Sequence, residues 1–116
     1  MKPKRRAKSQ IGKLTDAVLK FRDARDWKQF HNSKDLSLAI TIEAAELAEL
    51  FLWKNAKKAD KRALAEELAD VFLYCILLAH ENDIDIEKAI RCKLKKNAKK
   101  YPVATFKGTA RKYNEK

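Results

Sequence analysis

Apolar residues along the chain fall into four stretches separated by short polar breaks. In the first, Leu14, Val18 and Phe21 share one stripe, which predicts a helix from Ile11 to about Arg25. The segment DWKQFHNSKD has no clean period and reads as a loop carrying Trp27, Phe30 and His31. Asn32 or Ser33 suits the N-cap of the next helix. That second helix, residues 34–53, is apolar nearly all round: Leu36, Leu38, Ile40, Ile42, Leu47, Leu50, Phe51 and Leu52 cover more than one face. Such a helix is buried on several sides. One short chain offers few partners for it, so burial alone predicts oligomerisation. KNAKKAD breaks the pattern, and Asp60 can cap a third helix over 61–81, charged at first and apolar through Val71–Ala79. After Asn82–Asp85, with Asp85 as cap, Ile86, Ala89, Ile90 and Leu94 line a fourth helix that ends before Pro102. Glu87 lies in its first turn, where the helix dipole favours an acid.

Punctuation and length bound the fold. The 116 residues include only 2 Gly and 2 Pro, and none falls between residues 13 and 101. With abundant Ala, Leu, Glu and Lys this predicts an all-α, four-helix-bundle-like fold. One domain fits the length: a flexible basic arm over 1–10, an all-α domain over 11–104 and a basic tail over 105–116. The net charge of +11 belongs to the ends. Residues 1–13 carry six Lys/Arg and no acid, and residues 91–116 carry ten against Glu115 alone. That leaves eleven basic and fifteen acidic residues in 14–90, so the central helices are mildly acidic. Basic ends attract phosphates or nucleic acid, or are simply solvated. Cys75 and Cys92 form no CxxC or Cys/His cluster, which argues against zinc and fits a reducing, cytoplasmic setting. No signal peptide and no apolar run of about 18 residues is evident, so no membrane span is expected.

Charge placement inside the central helices carries the chemistry. Glu43 and Glu46 stand three apart among Ile, Ala and Leu, and no Lys or Arg lies between Lys34 and Lys54. Glu67 and Asp70 repeat the spacing at the head of VFLYCILLA. Residues i and i+3 share a helix face. Each pair is therefore a two-pronged carboxylate fork, and packing the two helices together brings four acids into or beside the core. Unpaired carboxylates are costly there, so a cation is expected among them. An ExxE pair alone is usually a solvated face; the apolar surroundings and the second fork are what shift the reading. Oxygen ligands without histidine suit a hard ion, Mg²⁺ or Mn²⁺. A di-iron bundle would place a His three residues after a Glu, which neither fork does. Magnesium commonly adds substrate phosphates to its shell, which points to phosphoryl transfer. Glu49 and Glu66 lie off the fork faces and read as surface salt-bridge residues. Tyr74, four residues after Asp70, shares the second fork's face.

The ordered set RDWKQFH at 25–31, EAAELAELFLWK at 43–54, EELADVFLY at 66–74 and KLKKNAKKYP at 93–102 resembles the all-α nucleoside triphosphate pyrophosphohydrolases of the MazG-like superfamily. The closer likeness is to the dCTP pyrophosphatase subgroup, and RKYNE at 111–115 is similar too. The resemblance spans about residues 14–115. It implies cleavage between the α and β phosphates, with Mg²⁺, releasing the monophosphate and pyrophosphate. Carried over by motif, Glu43, Glu46, Glu67 and Asp70 would hold the metal. One of them, or a neighbouring metal-bound water, would activate the nucleophile. Trp27, His31, Trp53 and Tyr74 would form the nucleoside pocket. Lys93 and Asn97, four apart on one helix face, would reach the phosphates or sugar, with Tyr101 nearby. The family pattern also implies a homo-oligomer, commonly a tetramer, with sites where subunits meet. The break between the second and third helices is short beside the family pattern, and the basic N-terminal arm lies outside the resemblance. Two other readings compete: a non-enzymatic helical protein that binds nucleic acid through its basic ends, and a helical interaction module whose forks are only surface. Basic ends without interleaved aromatics and without a helix-turn-helix signature are weak support for the former.

Overall fold

Each long helix begins on a residue whose side chain accepts a hydrogen bond from an otherwise orphaned backbone N–H. Ser9 accepts from Gly12 at the start of α1 (Gln10–Ala24). Asn32 accepts from Asp35 at 2.8 Å to open α2 (Ser33–Glu49), so the cap is Asn32 rather than Ser33. Asp60 opens α3 (Lys61–Glu81) and Asp85 opens α4 (Ile86–Lys100), as expected. A single 3₁₀ turn, Lys28–Phe30, interrupts the expected loop, and one further helical turn, α5 (Val103–Phe106), follows Pro102. This is a computed structural model that describes residues 8–55 and 59–114, and within them it is all-helical with no strand. Residues 1–7 of the expected basic arm, residues 56–58 of the break and residues 115–116 of the tail lie outside the described residues.

The ends of α1 and α3 fall close to the expected Arg25 and residue 81, whereas the end of α2 does not fall where periodicity puts it. After α1, Asp26 turns left-handed (φ 54°), the Asp26 N–H donates to Asp23 and the Trp27 N–H donates to Arg22. This is a Schellman stop, and its apolar seal is Trp27 packed edge-on against Phe21 at 5.8 Å. The same device ends α3: Asp83 takes φ 54°, and the Ile84 N–H reaches back to Ala79 at 2.8 Å. Aspartate fills the place usually held by glycine, which its short polar side chain tolerates. The second helix stops at Glu49 instead of 53. Leu50, Phe51, Leu52 and Lys54 continue with N–H bonds to the carbonyl three residues back, and Trp53 at φ 62° ends the run. No glycine or proline marks that stop, which is why the apolar pattern overruns it.

The chain divides into two compact units, Met1–Ile84 and Asp85–Lys116. In the first, α2 and α3 pack along each other and α1 packs on α3. The C-cap of α3 meets the first residue of α2 through Asn82 Nδ2 donating to Ser33 Oγ at 2.9 Å, so the two helices run antiparallel. Leu36 of α2 and Leu77 and Ala79 of α3 form the fully buried core. The rest of α2 is not covered on several sides within one chain: Ile42 is 58% exposed, as is 63% of Phe72 on α3. In the second unit, α4 runs into a small aromatic cluster in which Tyr101 meets Phe106 and Tyr113 edge-on at 5.0 and 6.0 Å. No helix among the described residues is long and apolar enough to cross a membrane.

Candidate active site

Antiparallel pairing of α2 and α3 brings the middle of one helix beside the first turns of the other, and the forks meet there. Carboxylate oxygens of Glu43, Glu46 and Glu67 lie within 4.8 Å of one another. Burial pushes the Glu43 carboxyl up from 4.5 to about 7, helped by its hydrogen bond to Glu46 and the charges of Glu46, Asp70 and Glu67. Glu67 is raised by the same causes: burial first, then Glu46 and Asp70. Both therefore hold protons more tightly than an isolated glutamate, and both are hydrogen-bonded with Glu46. Glu43 Oε2 and Glu67 Oε2 are buried and have no hydrogen-bond partner. With Glu46 beside them, these oxygens form a group that could hold a metal ion, which would satisfy the oxygens and cancel the repulsion. Three of the four expected acids thus come together, and Asp70 acts on Glu43 and Glu67 through its charge.

Asp70 also lines a cavity of about 220 Å³ bounded by Val18, Phe21, Arg22, Trp27, His31, Leu73, Tyr74 and Leu77. Three segments build it. From α1 come Val18, Phe21 and Arg22; the Schellman stop lays Trp27 across the end; and α3 supplies Asp70, Leu73, Tyr74 and Leu77 at helical spacing. Asp70, Tyr74 and Leu77 are the i, i+4, i+7 residues of one face. The lining is largely apolar and aromatic with a few polar groups, as small-molecule sites are. One of those groups is His31 Nδ1, which is buried without a partner.

Of the residues anticipated for a nucleoside pocket, Trp27, His31 and Tyr74 come together with Asp70. Trp53 stands apart from that cavity, on the tight turn after α2, with 94% of its surface exposed. Lys93 and Asn97 lie on α4, and Tyr101 is its C-cap, all within the second unit. The residue that sequence reasoning missed is Arg22. It is buried, whereas a basic residue is ordinarily read as solvated. Its register was a usable signal, because Leu14, Val18 and Arg22 follow at four-residue steps, which puts a cation on the apolar stripe of α1.

The model of the MazG-like family matches residues 38–115. The chain is 39% identical to dCTP pyrophosphatase 1 of Bos taurus and 38% identical to that of Homo sapiens, covering 82% of this chain and 61% of each relative. It therefore spans about three fifths of the length of the curated relatives it matches. Among solved structures, a pyrophosphatase from Archaeoglobus fulgidus superposes with a TM-score of 0.77 at 33% identity, covering 86% of this chain and 99% of that one. By sequence and fold the chain belongs to the MazG-like family and groups within it with the dCTP pyrophosphatases.

Proposed function

We propose that this chain is a Mg²⁺-dependent nucleoside triphosphate pyrophosphohydrolase. It splits the α–β phosphate bond of dCTP or modified pyrimidine deoxynucleoside triphosphates, giving the monophosphate and pyrophosphate. The observation that carries this reading is the junction at Asp70, whose charge acts on the two acids with orphaned buried oxygens and which itself lines an aromatic cavity. Glu43, Glu46, Glu67 and Asp70 hold the cation, Mg²⁺ or Mn²⁺. When bound, it neutralises phosphate charge. One of the carboxylates takes the proton of the attacking water. Trp27 and Tyr74 offer aromatic faces on which a base stacks, worth about 1–3 kcal/mol per base. His31 Nδ1 supplies a polar contact inside the cavity. Lys93, Asn97 and Tyr101 are assigned to the phosphates and sugar, and Trp53 to the pocket, on the resemblance alone. The name dCTP pyrophosphatase, borne by the relatives, supports the pyrimidine.

The exposed apolar surface of α2 and α3 supports a homo-oligomer, with a tetramer as the family pattern implies. Leaving side chains such as Ile42 and Phe72 in water forgoes roughly 1.5–3 kcal/mol each. Light scattering on the purified protein measures the assembly. The activity is tested by pyrophosphate release from a panel of triphosphates with and without Mg²⁺. The expected result is Mg²⁺-dependent release from dCTP; release from none of the panel overturns the reading.

A further inference from the structure

The cavity holds a buried cation that the acid cluster does not account for. The Arg22 side chain is 6% exposed, and its ion pair is with its chain neighbour Asp23. Asp23 Oδ1 accepts from Nε at 2.9 Å and lies 2.8 Å from Nη2. A guanidinium carries five N–H donors in a rigid planar fork. Those contacts use one carboxylate oxygen on the Nε and Nη2 side of the fork, and Arg22 lines the cavity beside Trp27, Tyr74 and the unpartnered His31 Nδ1. A buried charge is tolerated when its remaining donors are met. What meets them should be a planar acceptor edge rather than a polyanion, because the cavity wall is mostly apolar.

We propose that Arg22 reads the base: its fork donates to the adjacent N3 and O2 acceptors of a cytosine ring in the cavity walled by Trp27 and Tyr74, and so selects cytosine over thymine and uracil. The proposal rests on the nucleotide reading above. Cytosine presents two neighbouring acceptors on that edge. Thymine and uracil place an N3–H donor there, which faces the fork as a like group. Substituents at C5 lie on the opposite side of the ring, so 5-modified cytosines keep both acceptors.

The test separates recognition from turnover. Binding of deoxycytidine, thymidine and 3-deaza-2′-deoxycytidine, whose N3 is replaced by C–H, is measured by calorimetry on the wild type, Arg22→Met and Arg22→Lys. The kcat/KM ratio for dCTP against dTTP is measured alongside. The wild type should favour deoxycytidine over both other nucleosides by about tenfold or more. Arg22→Met should bind the three alike, and its dCTP loss should fall on KM while dTTP changes little. Arg22→Lys keeps the charge without the fork, so it too should lose most of the preference even if the Met variant fails to fold. A wild type that does not prefer deoxycytidine, an equal loss for all three nucleosides, or a lysine variant with full preference overturns the proposal. Preference for deoxycytidine through Arg22 without any pyrophosphate release would sink the enzymatic reading and leave this one standing. Release with an unchanged base ratio in the variants would do the reverse.

Discussion

The carboxylate cluster and the aromatic cavity meet at Asp70 yet are built by opposite means. The cluster is made of Glu43, Glu46 and Glu67 from two helices, with the charge of Asp70 acting on it. Its members repel one another, and two of its oxygens lack partners. The cavity is assembled from α1, the turn after it and α3, is mainly apolar, and encloses one arginine. One half is a local pattern kept under electrostatic stress, and the other is a tertiary shape with little charge. The contrast assigns them different work. On the proposed function, the half that is short of a cation would handle phosphates, and the half that has aromatic walls would handle a base.

The sharpest way to break that division is to neutralise one acid on each fork. Glu46→Gln and Asp70→Asn should each lower kcat by about a thousandfold or more, since groups placed where charge develops in the transition state contribute most to the rate. Circular dichroism and thermal unfolding should show the fold kept, because relief of like charge offsets the lost hydrogen bonds. Full activity in both variants would remove the acids from the mechanism.

Acidity tests the same half with a smaller effect. With the Glu43 carboxyl raised to about 7, a cation must displace a proton below that pH. Its affinity should fall by about tenfold per pH unit under 7, as read by isothermal titration with Mg²⁺ or Mn²⁺. Stability without metal should run the other way. A raised acid pKa means the folded chain binds the proton more tightly than the unfolded one. Its contribution is full below pH 4.5 and is lost as pH climbs through about 7. Added Mg²⁺ should restore the melting temperature at pH 8 more than at pH 6.

The base half is probed by its two tryptophans. Trp27→Ala should raise KM about ten- to a hundredfold, in line with the loss of one stacked base, and should also cost stability because Trp27 seals the α1 stop against Phe21. Trp53→Ala should raise KM by a smaller factor with kcat kept. Its melting temperature should stay within a degree or two, because the side chain is almost wholly in water. An unchanged KM in Trp53→Ala would confine the base site to the cavity beside Asp70.

The forks were legible because helix geometry is local: once 34–53 and 61–81 read as helices, the direction of each acid followed. The caps at Asn32, Asp60 and Asp85 were legible for the same reason. The stop at Glu49 was not, since left-handed Trp53 carries no glycine to announce it. Nor was the cavity, because no spacing rule connects Val18 and Trp27 to Tyr74. Arg22 was hidden by a habit of reading basic residues as surface, although its register on the Leu14–Val18 stripe placed it inside.

By itself the amino-acid pattern determined an all-helical chain, the caps that start its helices and two acidic forks, since each depends on residues within a turn or two of one another. Tertiary structure alone decided that the forks face one another, that Asp70 belongs to both halves and that an arginine is enclosed with the aromatics. Those facts depend on the antiparallel pairing of α2 with α3 and on the Schellman stop that lays Trp27 over Phe21, where residues far apart in sequence meet.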